Sequence, residues 1–513
     1  MSLHPPGARL QLLRLALAGL AIIAALELTA CHQASHKPTA TVAAPQVPRP
    51  PPPPPPFTGQ DVSLALETLK HAPDHGFSAS RFQTEQIEQL LGSATASDLA
   101  EGQRQLRAVV LDYARAQHGL TIPVGALPRA WNQRPSTYDA DAELNAALRA
   151  GTLQAWLDQL PPQTAMYRAL QVAYLAAKTG REEVARPRVE AAPLDLDEQD
   201  ARTKALRRRL ALEDSALGDV AFDTPVDQDL IDALKTYQAH HDLEESGVLD
   251  EPTVERLNAP VIGKAAKLRA NMERLRWLPR PEPERRIDVN IASSEMDYIQ
   301  DGEVTTHMLA VSGKVGDETP MVSSAIDSIV LNPPWFVPND IARREILPKG
   351  AGYMQSRHFV WRGGRLIQRP GPKTALGLVK FDFPNPYAVY LHDTPTKSTF
   401  SQTKRAASHG CVRLQHAVEL ARIVVGEEPG SSSERVDRIL RSGKTVRLTL
   451  TRPVPVRLMY LTAVAKKGGE VAYLPDVYGW DARLLALLDR YAGPRTSGRH
   501  TLEPDHNEPS ARP

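Results

Sequence analysis

The sequence predicts an α+β chain, helical first and β-rich second, and three observations carry this. Apolar residues recur at short helical steps through the first part: Leu64, Leu66 and Leu69; Ile87, Leu90 and Leu91; Leu106, Val109, Val110 and Tyr113. From about Arg285 the period changes to two, as in RIDVNIASSEMDYIQDGEVTTHMLAVSG, where Asp301-Gly302 marks a hairpin turn. Seven consecutive prolines, Pro50 to Pro56, separate an apolar N-terminal stretch from everything that follows.

That N-terminal stretch reads as an export signal over residues 1–31. Arg9 and Arg14 precede Leu15 to Leu26, too short to span a bilayer but suited to a secretory apolar region. It ends in Leu28-Thr29-Ala30-Cys31, which resembles the lipobox of bacterial lipoproteins. The resemblance implies cleavage before Cys31, lipidation of its thiol, a membrane contact through the lipid and a periplasmic location. His32 rather than aspartate follows the cysteine, which favours the outer membrane. Residues 32–56 then form a linker whose proline run is a polyproline II spacer of about 20 Å, at roughly 3.1 Å per residue.

Residues 57–221 are expected to be an α-helical scaffold, broken at Pro123 to Pro128 and at Pro161-Pro162. No motif there carries chemistry. His71 and His75 stand four apart, but Pro73 intervenes and no acidic partner is evident, so a metal pair is not expected. Arg207-Arg208-Arg209 reads as a solvated helix face. The chain has 61 Lys and Arg against 60 Asp and Glu, a balance that argues against nucleic acid as a partner. In residues 222–260, Leu230, Leu234 and Tyr237 line one helix, Gly247 marks a turn, and Thr253, Val254 and Leu257 suggest another helix. With Tyr237-Gln238, Gly247, Thr253 and Leu257-Asn258, the segment resembles the small three-helix peptidoglycan-binding module. Ser246 and Asp250 depart from its usual pattern. A connecting helix over 261–284, a β-rich domain over 285–452, a mixed C-terminal segment over 453–492 and a disordered tail over 493–513 complete the expected order.

The chemistry centres on RAASHGCVRLQHA, Arg405 to Ala417. An exported chain with two cysteines, one assigned to a lipid, leaves Cys411 with no disulfide partner. The period of two puts Tyr390 and His392 on one face of VYLH, and Cys411 and Arg413 on one face of CVRL. A thiol of ordinary pKa is only a few per cent ionised at neutral pH, so an adjacent imidazole is what makes it a nucleophile. The N–H groups of Gly410 and Cys411 are candidate oxyanion donors, worth about 3 kcal/mol each in other enzymes.

His392 followed by Ser408-His409-Gly410-Cys411-Val412-Arg413 resembles the signature of YkuD-type L,D-transpeptidases. NMERLRWLPR (Asn271 to Arg280), NPPWFVP (Asn332 to Pro338), GPKTALG (Gly371 to Gly377) and YLHDTPTKSTF (Tyr390 to Phe400) resemble the large YcbB-like subgroup. The resemblance implies an α-helical scaffold, a peptidoglycan-binding module and a β-sandwich-like catalytic domain. It implies that Cys411 is the nucleophile, His392 its base, and the Asp393 main-chain carbonyl the group orienting the imidazole. Ser408, His409, Arg413, Tyr390 and Trp335 are implied to contact substrate, with Arg413 suited to a carboxylate. Tyr390 and Trp335 are equally readable as core. Asp340 to Leu376 falls where the subgroup carries a substrate-capping loop. The implied reaction is transpeptidation of peptidoglycan stem peptides to 3→3 cross-links, without cofactor or metal, inhibited by carbapenems. Cell-wall synthesis enzymes are candidate partners. A papain-like peptidase is disfavoured because those run Cys before His, and a zinc site of His392, His409 and Cys411 lacks a fourth ligand. A non-catalytic wall-binding lipoprotein is disfavoured by the intact motif.

Overall fold

The helical part is built as its periodicity dictates. In the computed structural model, which describes residues 53–494 apart from 134–136, 180–187, 192–193, 198–200, 212–223, 241–242, 259–261 and 403, helices run Gly59–Lys70, Thr84–Leu91, Ala96–Gln117, Ala140–Ala150, Leu153–Gln159 and Ala165–Thr179. The export signal, Cys31, nearly all of the linker and all but the start of the tail lie outside the described residues. Thr58 starts the first helix with a capping box: its hydroxyl accepts the Asp61 N–H, and Asp61 Oδ2 accepts the Thr58 N–H at 2.9 Å. Leu66, Leu69, Ile87, Leu106 and Val110 close a first core.

The helix Lys264–Arg276 joins this scaffold to the sheet by burying charge rather than apolar surface alone. Its Leu268, Met272 and Leu275 pack on Tyr167, Leu170 and Tyr174. Glu273, Arg274 and Arg276 are also buried, which is tolerable only because each is paired. Arg276 donates to Glu273 at 2.9 Å and to the Tyr167 hydroxyl at 2.8 Å, and Arg274 to Asp481 at 2.5 Å. Arg280 donates to the main-chain carbonyls of Leu160 and Gln117.

Between these lies the small helical module, and here two expectations change. The helix Ala201–Ala211, assigned by sequence to the scaffold, shares a core with the module: Val189, Leu206 and Leu210 cluster with Leu230, Leu234, Tyr237 and Leu257. The arginine run is not a solvated face. Arg207 is fully buried and pairs with Asp227 at 2.8 Å, Arg209 is buried, and only Arg208 is exposed. The tyrosine-glutamine motif also has a structural cause. Gln238 is buried and its amide donates to Val248 O at 2.8 Å and Thr253 Oγ1 at 3.0 Å, while its oxygen accepts the Gly247 N–H at 2.8 Å. Gly247 sits at φ +68°, where a Cβ would lie 2.9 Å from Ile231.

The β-rich domain contains β1 (Arg286–Asn290), β2 (Glu295–Gln300), β3 (Glu303–Gly313), β4 (Val322–Leu331), β5 (Trp335–Phe336), β6 (Phe359–Arg362), β7 (Arg365–Gln368), β8 (Val379–Asp382), β9 (Leu391–His392), β10 (Ala406–Ser408), β11 (Val412–Leu414) and β12 (Val446–Met459). Nine of these form one sheet in the order β10-β3-β11-β9-β8-β4-β12-β1-β2, and a β2–β3 pairing closes it on itself. The two faces expected of a sandwich are thus parts of one closed sheet. β12 passes the expected boundary at 452: a register shift between Thr449 and Val454 absorbs Pro453, and Val454–Leu458 continue the pairing with β4. β5, β7 and β6 form a separate three-stranded sheet. With the helical turns of 339–356 it folds over its own core of Val337, Ile341, Ile346, Phe359 and Leu366, in the stretch expected to cap the site.

Candidate active site

Alternation along two short strands assembles the site. β9 and β11 run parallel, with Leu391 opposite Val412 and His392 opposite Arg413. Leu391, Val412, Leu414 and Val389 enter the main core. His392 and Arg413 therefore share the opposite face, and Tyr390 and Cys411 stand one residue before these strands, Cys411 also packing against the main core. β8 adds a neighbour the sequence reading missed: Lys380 stands opposite His392. The imidazole is thus flanked in register by two cations. The alternation Val379-Lys380-Phe381-Asp382, with Val379 and Phe381 in the core, held the signal for Lys380; which strand it would neighbour was not legible.

His392 is buried, and its Nδ1 donates to the Asp393 main-chain carbonyl at 2.6 Å. A carbonyl only accepts, so Nδ1 carries the hydrogen and the neutral ring keeps its lone pair on Nε2. The Leu376 carbonyl also lies against the ring. Burial holds the imidazole down to about 3, and the Arg413 and Lys380 charges push the same way. The Asp393 side chain fixes its own main chain: Oδ2 accepts the Leu378 N–H at 2.9 Å and Oδ1 pairs with Lys397 at 2.7 Å.

Cys411 is half-buried. Burial pushes its thiol above the ordinary pKa, against the opposing influence of Tyr390 and of the Lys380 and Arg413 charges. The Tyr390 hydroxyl is bonded in turn by the Trp335 side chain, and Lys380 Nζ lies 4.1 Å from the Tyr390 ring centroid. Tyr390 and Trp335 are half-buried, and Trp335 also packs on the core of the capping stretch. Burial also lowers Arg413.

Three of the expected residues are placed differently. Ser408 is buried, its hydroxyl donates to Cys411 O at 2.5 Å, and it holds the turn rather than facing substrate. The Gly410 N–H donates to that same hydroxyl at 3.2 Å, which directs it into the turn and away from an oxyanion. His409 points to the capping stretch, where Nε2 meets Glu345 at 2.6 Å. Glu345 carried no sequence signal. Among the described residues, no group of three His, Cys, Asp or Glu side chains has the arrangement to hold a metal ion.

Residues 284–448 match the YkuD family, described as L,D-transpeptidase catalytic domain, and residues 58–173 match the Scaffold domain. A Haemophilus influenzae protein described as "Putative L,D-transpeptidase" is 32% identical over 42% of this chain and 48% of its own length. The chain thus spans about half of that curated relative. Among solved structures, the L,D-transpeptidase from Mycobacterium smegmatis is 18% identical, covering 34% of this chain and 58% of that one, with a TM-score of 0.19. The catalytic domain of the Enterococcus faecium L,D-transpeptidase acylated by ertapenem is 15% identical, covering 35% of this chain and 98% of that one, with a TM-score of 0.20.

Proposed function

With residues 284–448 forming a YkuD-type L,D-transpeptidase catalytic domain, we propose that the chain is a peptidoglycan L,D-transpeptidase working through the Cys411 sulfur. The observation that supports this reading is the β8–β9–β11 register, which sets the neutral imidazole between two cations and beside the strand that Cys411 immediately precedes. Nε2 of His392 takes the thiol proton as sulfur attacks the carbonyl of the third residue of a tetrapeptide stem. The C–S bond forms, the C–N bond to the terminal D-Ala breaks, and the proton passes to the leaving amine. An amine of a neighbouring stem then attacks the thioester: the C–N bond forms, the C–S bond breaks, and the proton lost by the amine returns through Nε2 to the leaving sulfur. The product is a 3→3 cross-link, and the steps balance without a cofactor. Arg413 offers the charge to hold a stem carboxylate, whereas Lys380 is already paired with Asp382 at 2.7 Å.

The test is direct. Incubated with tetrapeptide muropeptides, the protein should release D-Ala and yield 3→3 dimers by mass analysis. Neither product above the background of a Cys411→Ala control would sink the reading.

The lipobox supports a further part of the proposal, that Cys31 anchors the mature chain in a bacterial membrane, the outer one favoured by His32, with the proline run as spacer. Fractionation with palmitate labelling checks it. A soluble, unlabelled wild type would remove the anchor and leave the enzyme reading untouched.

A further inference from the structure

The turn that presents Cys411 is held from outside the strands that carry the chemistry. Three of its four carbonyls are engaged. Ser408 O accepts the Lys314 N–H at 2.9 Å, Cys411 O accepts the Ser408 hydroxyl, and Gly410 O accepts Thr319 Oγ1 at 2.8 Å. Thr319 is fully buried and belongs to a small knot. Its hydroxyl accepts the Gly313 N–H at 2.8 Å, and its own N–H donates to the Tyr478 hydroxyl at 3.3 Å. That hydroxyl donates to Gly313 O at 2.5 Å. The backbones are pressed together here, since a Cβ on Gly313 would lie 2.7 Å from Thr319 N.

Tyr478 stands beyond the matched catalytic domain, in the C-terminal segment. Its ring stacks on Tyr460 at 5.4 Å and meets Trp480 at 4.9 Å. Its N–H donates to the Tyr460 hydroxyl, which donates to Asp476. The hydroxyl that meets Thr319 is therefore fixed from both ends.

Gly410 C=O and Cys411 N–H belong to one planar trans peptide unit and point in opposite directions. Anchoring the carbonyl on Thr319, away from the reacting face, aims the Cys411 N–H the other way. The Gly410 N–H is already used by Ser408. We propose that Thr319 and Tyr478 are positioning residues that set the Gly410–Cys411 peptide plane, and so aim the Cys411 N–H at the oxyanion formed during acyl transfer. The inference rests on the functional reading above and adds two residues outside the motif.

Alkylation and acylation of the same sulfur separate positioning from stability. Iodoacetamide needs a thiolate but no oxyanion donor; a β-lactam such as ertapenem needs both. Full-length Thr319→Val and Tyr478→Phe should lose at least about tenfold in ertapenem acylation rate, part of the 10²–10³ that an oxyanion donor supplies. Their alkylation rates and pH profiles should stay with wild type, and Thr319→Ser, which keeps the hydroxyl, should restore acylation. Tyr478→Phe keeps the ring packing and decides the matter if Thr319→Val does not fold. Unchanged acylation in the folded variants, or acylation and alkylation moving together, overturns the inference. A wild type that alkylates but is never acylated overturns the functional reading and the inference with it.

Discussion

Two histidines in different regions of this chain carry the same electrostatic signature and differ in everything else. His75, in the helical scaffold, and His392, in the sheet, are both held down to about 3, chiefly by burial, each with an arginine pushing the same way: Arg276 for one, Arg413 for the other. His75 closes a short helical turn, Ala72–His75, and lines a cleft of about 420 Å³. Its ring meets the Tyr167 hydroxyl at 3.0 Å and the Gln171 amide at 3.3 Å. His392 is instead tied through Nδ1 to a carbonyl and lies beside the strand that Cys411 immediately precedes. A depressed imidazole therefore records burial beside a cation, and chemistry depends on what the lone pair faces. His75 faces a hydroxyl and an amide that stabilise the packing; His392 belongs with the one free cysteine among the described residues.

The comparison breaks most visibly at sulfur. Cys411→Ala should abolish the ertapenem adduct in intact-protein mass spectrometry, with the melting temperature little changed. An adduct on the alanine variant would remove the nucleophile and leave the two histidines equivalent.

Next in size is the pair itself. His392→Asn should slow acylation by about 10²–10⁴, the usual worth of a general base, while His75→Gln leaves the rate within about twofold, since the comparison gives it no role in catalysis. Because burial raises the thiol, alkylation of His392→Asn should recover only as pH climbs past the ordinary thiol value of 9.0. Recovery near neutral pH, or equal losses in the two variants, would contradict the assignment.

A smaller effect tests the support of His392. Gly377 sits at φ +59°, and a Cβ there would lie 2.4 Å from Asp393 Oδ2. Gly377→Ala should cost about 1–3 kcal/mol in urea unfolding and lower the acylation rate by displacing the carbonyl that orients the imidazole. Unaltered stability and rate would mean that Asp393 yields without consequence.

The smallest effect concerns what the two imidazoles share. Each is neutral in the fold with a pKa below its unfolded value of 6.5, so unfolding takes up protons in acid. Their contribution is complete above pH 6.5 and is lost as pH falls toward 3. Each adds a slope of up to about 1.4 kcal/mol per pH unit in that window. His75→Gln should flatten the pH dependence of stability between these limits. An unchanged slope would show that His75 does not titrate as its burial dictates.

What was legible in the sequence was local. Alternation of two put Val389, Leu391, Val412 and Leu414 inside and His392 and Arg413 on the other face, because a strand's side chains alternate whatever the strand pairs with. Helical spacing likewise located the scaffold core. The arginine run misled for the converse reason: charge along a helix implies solvent only until a carboxylate from another segment arrives, as Asp227 does for Arg207. Gly410 was read as an oxyanion donor because its hydrogen bond to Ser408 depends on the turn closing, which no residue type announces.

By itself, then, the sequence determined how side chains alternate along a strand, since that follows from a periodicity of one strand at a time. Only the tertiary structure decided who stands beside whom. Cross-strand register set Lys380 and Arg413 on either side of His392 and Tyr390 beside Cys411. Contacts spanning 91 and 159 residues brought Thr319 to Gly410 and Tyr478 to Thr319. Register and closure are satisfied by hydrogen bonds between distant segments, and a local pattern carries no record of which distant partner will supply them.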